Sequence, residues 1–127
     1  MENPHHILLV DDEIGNLTFL SRFLKLKKFS VATAHNGKEA IEEINKCVPD
    51  VMILDIMMPV MDGMDTLKWV KENQPNIQVI MLSAMGDNDL KVKALQLGAL
   101  SYISKPMDLT DLQSKIQLAL KVKESTT

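Results

Sequence analysis

The stretch Val51-Met52-Ile53-Leu54-Asp55-Ile56-Met57-Met58-Pro59-Val60-Met61-Asp62-Gly63 places a single carboxylate, Asp55, at the end of an apolar run. An ionised carboxylate leaving so hydrophobic a strand costs free energy unless it is paired, bound to a metal or exposed at the strand's mouth. Asp55 therefore reads as a working residue, and the fold follows from what else the chain brings to it.

Working outward, short apolar runs alternate with amphipathic segments. Ile7 to Val10 is a strand, followed after Asp11-Asp12-Glu13 by Ile14, Leu17, Leu20 and Leu24 at helical spacing. Phe29 to Ala34 is a second strand. Asn36 with Glu39 three residues on has the form of a capping box opening a helix through Ala40, Ile41 and Ile44. Val51 to Leu54 is the third strand, and Leu67 and Val70 mark a helix that stops near Asn73 to Pro75. Ile77 to Leu82 is the fourth strand and Leu90 to Leu97 the fourth helix, with Gly98 as its C-terminal cap. Tyr102 and Ile103 form a short fifth strand. The last helix has Asp108 as N-cap and Leu109, Leu112, Ile116 and Leu120 on its buried stripe.

Five strands each followed by a helix imply parallel pairing with helices on both faces of one sheet, a doubly wound α/β fold. Ligands bind such sheets at the carboxyl ends of the strands, where strand order reverses. The first strand ends before Asp11 and Asp12, the third in Asp55, the fourth before Ser83, and just past the fifth stand Lys105 and Pro106. In the order 2-1-3-4-5 these four ends are neighbours.

Three carboxylates so close repel one another, each pair at ~4 Å by about 4 kcal/mol at an effective dielectric near 20. Lys105 supplies one compensating charge, and a hard divalent ion on oxygen ligands, Mg²⁺, best meets the rest. Asp55 can then attack phosphorus as a carboxylate nucleophile, with Ser83 placed to donate a hydroxyl hydrogen bond to a transferring oxygen.

These residues resemble the receiver domain of bacterial two-component response regulators. The resemblance covers Ile7 to Leu120 and rests on Asp11-Asp12-Glu13 with Asn16-Leu17, Asn36-Gly37-Lys38-Glu39-Ala40, Asp55 with Met58-Pro59 and Met61-Asp62-Gly63, Ser83-Ala84, Gly98-Ala99, Tyr102 and Lys105-Pro106. It implies a flavodoxin-like (βα)5 fold and phosphorylation of Asp55 from a phosphohistidine on a sensor histidine kinase or histidine phosphotransfer protein. It further implies Mg²⁺ held by the side chains of Asp12 and Asp55, by Asp11 through water and by the Met57 backbone carbonyl. Ser83 and Tyr102 would be the switch pair, and the Lys105-Pro106 peptide would be cis. The output would be a changed face of the fourth helix, fifth strand and last helix, controlling a downstream target protein or output domain, with phosphorylation-dependent dimerisation as one form of output. The chain would be a phosphoacceptor with slow self-dephosphorylation and no turnover of an external substrate. Methionines at 57 and 85 would flank the path of attacking water without a polar guide, giving a long-lived phosphoryl group.

Composition bounds the rest. The 127 residues suit one domain, 1–127, with a core over 7–120 and a polar tail over 121–127. Apolar content of 46% argues against disorder, and a net charge of -3 gives no general attraction to nucleic acid or an anionic membrane. No membrane span or leader segment is visible, and lone Cys47, expected as a packing residue on a helix face, fits a reducing cytoplasm. His5 and His6 are expected to lie in a mobile terminus, and a standalone regulator is favoured over an excised receiver. A haloacid-dehalogenase-type phosphatase would need a second aspartate where Met57 stands. A flavin module would need a Ser/Thr/Gly-rich phosphate loop where Asp11-Asp12-Glu13 stand.

Overall fold

A computed structural model describes residues 4–56, 58, 62–84 and 88–126. β1 (His6–Val10), β3 (Val51–Asp55) and β4 (Gln78–Ser83) are almost wholly buried, because helices cover both faces of the sheet they form with β2 (Ser30–Ala34) and β5 (Ser101–Ser104). The strands pair in parallel in the order β2-β1-β3-β4-β5. Between them run α1 (Ile14–Leu26), α2 (Gly37–Lys46), α3 (Gly63–Asn73), α4 (Asn88–Gln96) and α5 (Leu109–Thr126).

Strand alternation sorts the apolar residues into two cores. Leu8, Val10, Met52, Leu54, Val79 and Met81 pack with α2, α3 and α4, through Ile44, Leu67, Val70 and Ala94 among others. Ile7, Leu9, Ile53, Ile80, Leu82 and Ile103 pack with α1 and α5, through Leu17, Leu20, Leu24, Leu112 and Ile116. The chain steps outward from β1 to β2 and then crosses to β3 on the other side of β1, so the order reverses between β1 and β3. That reversal sets the residues after β1 beside the end of β3.

Local signals hold where expected. The Asn36 side chain accepts the Glu39 backbone N–H at 2.9 Å, and the Glu39 carboxylate reaches back to accept the backbone N–H of His35 at 3.0 Å. Gly98 ends α4's turn at φ 111°, left-handed backbone that glycine adopts freely. Asp108 accepts the Thr110 backbone N–H at 2.8 Å. Trp69 is half-buried against the α2, α3 and α4 side of the core. Among the described residues, no helix is long and apolar enough to cross a membrane.

Other expectations are corrected. Ile14, placed on α1's buried stripe by spacing, is 66% exposed as the first residue of the helix. Leu109 is only half-buried for a comparable reason, as the first residue of α5. Cys47 is exposed, because it caps α2 after the helix has left the sheet. The second strand begins at Ser30, with Phe29 before it, and β4 extends to Ser83. Residues 121–126, expected as a tail, continue α5.

His6 is no loose terminus: it opens β1 opposite Ser30 and donates its backbone N–H to Asp50 Oδ2 at 2.8 Å. Asp50 also faces His5 Nδ1 at 3.6 Å and Lys123 Nζ at 3.2 Å, tying the start of the chain to the end of α5. Partial burial pushes the Asp50 carboxyl up, but the His6 N–H and the Lys123 ammonium together hold it below its ordinary value. A depressed folded-state pKa gives stability that is present above the unfolded value and lost as pH falls through the folded one. Asp50→Asn is therefore expected to cost about 1 kcal/mol near neutral pH, with the gap closing below about pH 4. Urea unfolding of both proteins across that range checks this, and a gap independent of pH would refute it.

Candidate functional site

The carboxyl ends of β1, β3, β4 and β5 converge on one cluster. The Asp11 backbone N–H extends the ladder to Ala34 O at 3.1 Å, which buries its carboxylate to 2% exposure. Asp11 Oδ1 accepts the Glu13 N–H at 3.0 Å and Oδ2 accepts Asn16 Nδ2 at 3.3 Å. Glu13, the N-cap of α1, makes no side-chain cap bond, so Asp11 and Asn16 brace the helix start. Asn16 thus gains a structural role that its place in the motif did not specify. Asp12 stays exposed.

Asp55 is the last residue of β3 and is 5% exposed. Lys105 Nζ donates to Asp55 Oδ2 at 3.0 Å and lies 3.6 Å from Asp11 Oδ2. Partial burial pulls the Lys105 ammonium down, but its hydrogen bond to Asp55 and the charges of Asp55, Asp11 and Glu13 outweigh this and raise it above its ordinary value. The lysine is therefore a fixed cation at the site. Its backbone N–H bonds Ser83 O at 2.8 Å, and the Lys105-Pro106 peptide is cis as expected.

The β3 end is also held by the returning chain. Ile56 donates its N–H to Leu82 O at 3.0 Å, and Gly63 donates to Ile56 O at 2.9 Å. Asp62 caps α3 by accepting the Asp65 N–H at 2.9 Å. Gly63 lies so close to β3 that a β-carbon there would meet Asp55 O and stand 2.6 Å from Ile56 Cα. Met57, expected as a backbone metal ligand, and Met85, expected beside the water path, lie outside the described residues.

Ser83 is 1% exposed, and its Oγ has no hydrogen-bond partner among the described residues. Burying a hydroxyl unpaired costs about 1–3 kcal/mol. Such a hydroxyl at the mouth of a cationic and carboxylate cluster fits a ligand oxygen. Asp11, Asp12 and Asp55 each offer an oxygen within 4.8 Å of the others. This all-oxygen set suits a hard divalent cation such as Mg²⁺. The arrangement can hold a metal, present a buried carboxylate as nucleophile, and receive a tetrahedral oxyanion between Lys105 and Ser83.

Tyr102 is not brought to this cluster. It pairs with Met81 in the ladder, two residues before Ser104, and is 37% exposed. Lys91 of α4 lies 4.9 Å over its ring. Sequence reasoning passed over Lys91, although its spacing from Ala94 sets a lysine on the buried stripe of α4.

The family profile described as "Response regulator receiver domain" matches residues 7–117. The transcriptional regulatory protein ZraR of Klebsiella oxytoca is 41% identical over 114 residues, 90% of this chain and 26% of that protein. A probable transcriptional regulator, ycf27, of Cyanidium caldarium is 39% identical over 120 residues, 94% of this chain and 48% of that protein. The chain thus spans from about a quarter to about half the length of these curated relatives. Among solved structures, a response regulator receiver domain protein from Clostridium thermocellum superposes with a TM-score of 0.92 at 32% identity, covering 97% of this chain and 99% of its own. A CheY-like receiver domain protein from Methanospirillum hungatei gives 0.92 at 27% identity, covering 98% and 99%.

Proposed function

The chain belongs to the response regulator receiver domain family, whose general function is phosphorylation-dependent switching in two-component systems, and on that premise we propose that Asp55 is its phosphoryl acceptor. The observation that carries this reading is the buried Ser83 hydroxyl, without a partner among the described residues, at the strand ends where a carboxylate is already paired with Lys105 at 3.0 Å.

In this reading the donor is a phosphohistidine on a sensor histidine kinase or histidine phosphotransfer protein. An Asp55 carboxylate oxygen forms the bond to phosphorus as the nitrogen–phosphorus bond breaks and its electron pair returns to the imidazole. Lys105 neutralises charge on the transferring oxygens, and Ser83 donates its hydroxyl hydrogen to one of them. Asp11, Asp12 and Asp55 would hold Mg²⁺, with the Met57 carbonyl as a further ligand; when bound, the ion supplies positive charge to the phosphoryl oxygens. The chain consumes one phosphoryl group per molecule and turns over no external substrate.

The switch would act through α4, β5 and α5, where Val92, Leu95, Tyr102 and Leu118 are exposed apolar or aromatic side chains. Ser83 and Tyr102 would be the switch pair. The partner on that face is a downstream protein, an output domain or a second copy, not nucleic acid, and the setting is the cytoplasm. The receiver would occupy the chain as one domain. Incubation with acetyl phosphate and Mg²⁺ is expected to add one phosphoryl group, mapped to Asp55 by borohydride reduction and peptide mass analysis. No adduct, or an adduct mapped elsewhere, would sink the proposal.

A further inference from the structure

Lys91 stands 8% exposed on α4. Its ammonium donates to Ser104 Oγ at 2.7 Å and lies 4.9 Å over the Tyr102 ring. No carboxylate of the described residues lies within ion-pair distance of it. A lysine this buried, with no counter-charge among the described residues, is a costly placement, and a methionine would fill the same space without that cost. The charge therefore has a use, and its two contacts indicate which.

Both contacts are on β5, so one side chain grips that strand at two points. Ser104 stands across the ladder from Ser83, whose hydroxyl is the unpartnered group of the acceptor site. Tyr102 lies on the same face two residues earlier, at the edge of the exposed surface that carries Val92 and Leu95. The described fully buried residues of α4 are Lys91 and Ala94, with Leu90 partly buried against the same core, so Lys91 is one of the few side chains that fasten this helix to the sheet. Lys91 thus bridges the residue beside the acceptor site and the aromatic residue of the output face.

We propose that Lys91 is a positioning residue of the switch: it holds α4 and Tyr102 in the half-exposed arrangement seen here, and filling the Ser83 site must break or redirect its grip. This rests on the acceptor reading above. A contact made only in the unfilled state opposes filling, so its removal must favour the filled state.

Tyr102 is the only tyrosine, so chain labelled with 3-fluorotyrosine gives one fluorine resonance that reports it alone. The probe is beryllofluoride with Mg²⁺, titrated into the unmutated chain, Lys91→Met, Lys91→Arg and Ser104→Ala. Lys91→Met is expected to lower the beryllofluoride midpoint about three- to tenfold, the scale of one cation–π contact. It should also move the unliganded resonance toward its position in the saturated, unmutated chain. Ser104→Ala, which leaves Lys91 in place and tests the idea even if Lys91→Met fails to fold, should shift both readouts in the same direction by less. Lys91→Arg, keeping the cation, should stay near the unmutated values. An unchanged resonance and midpoint in Lys91→Met and Ser104→Ala, or a raised midpoint, would overturn the proposal while leaving Asp55 as acceptor. No beryllofluoride response in the unmutated chain would overturn the acceptor reading, and this inference with it.

Discussion

Asp55→Asn is expected to abolish phosphoryl uptake and, in metal-free buffer, to make the folded chain more stable. The first effect follows because an amide oxygen is a poor nucleophile, so no acyl phosphate forms at that position. The second is a matter of charge. Asp55 lies within 4.8 Å of both Asp11 and Asp12 and 3.0 Å from Lys105. At an effective dielectric near 20, the repulsions from Asp11 and Asp12 are worth about 3–4 kcal/mol each and the attraction to Lys105 about 5–6 kcal/mol. The asparagine keeps the size of the side chain and an oxygen for Lys105, so the net gain should be about 1–2 kcal/mol. Mg²⁺ held at this cluster would bind the folded chain only and so stabilise it in proportion to the logarithm of its concentration over Kd. The unmutated chain, with all three carboxylates, should therefore gain more from Mg²⁺ than the variant. Urea unfolding with EDTA and with excess Mg²⁺ measures both terms. An Asp55→Asn protein less stable than the unmutated chain without metal would show that pairing with Lys105 outweighs the repulsion, and persisting acetyl phosphate uptake would remove Asp55 from its proposed role.

Gly63→Ala is expected to damage both stability and the site although it adds one methyl group. The new β-carbon would fall against Asp55 O and within 2.6 Å of Ile56 Cα and 2.9 Å of Ile56 O. These are backbone atoms at the end of β3, and they cannot rotate aside as a side chain could. Relief requires the start of α3 to move off β3, breaking the Gly63 N–H bond to Ile56 O. Overpacking of this kind costs about 1–3 kcal/mol, with the upper end expected where backbone meets backbone. Because the displaced atoms belong to Asp55 and Ile56, acetyl phosphate labelling should also slow, by about tenfold or more for a misplacement near 1 Å. A variant with unchanged stability and labelling rate would mean that α3 is free to shift without disturbing β3.

The alternation of apolar runs with helical spacing was enough to read the parallel sheet, because each fully buried strand must be covered on both faces; the order 2-1-3-4-5 was the one that sets the polar strand ends side by side. The ligand-bearing strand ends were legible for the same reason: Asp11, Asp12, Asp55, Ser83 and Lys105 interrupt otherwise apolar or turn-forming segments. Helix ends were less legible. Ile14 follows the buried spacing of α1 but is exposed as the helix's first residue, which only the folded structure shows. Asp50 looked like punctuation after Pro49, yet it draws His5, His6 and Lys123 together from the two ends of the chain. Lys91 carried a faint signal, a cation on a stripe where burial was due.

By itself, then, the sequence determined the fold class and the polar residues that stand at the strands' carboxyl ends, since hydrophobic periodicity leaves few other ways to bury these runs. Only the tertiary structure decided the partnerships: that Lys105 is shared between Asp55 and Asp11, that Ser83 Oγ has no partner among the described residues, that Gly63 abuts β3, and that Lys91 reaches Ser104 and Tyr102. The physical reason is range. Periodicity is a local property of a few turns or residues. Hydrogen bonds and ion pairs form or fail over less than an ångström, between groups that in these cases come from different strands and helices.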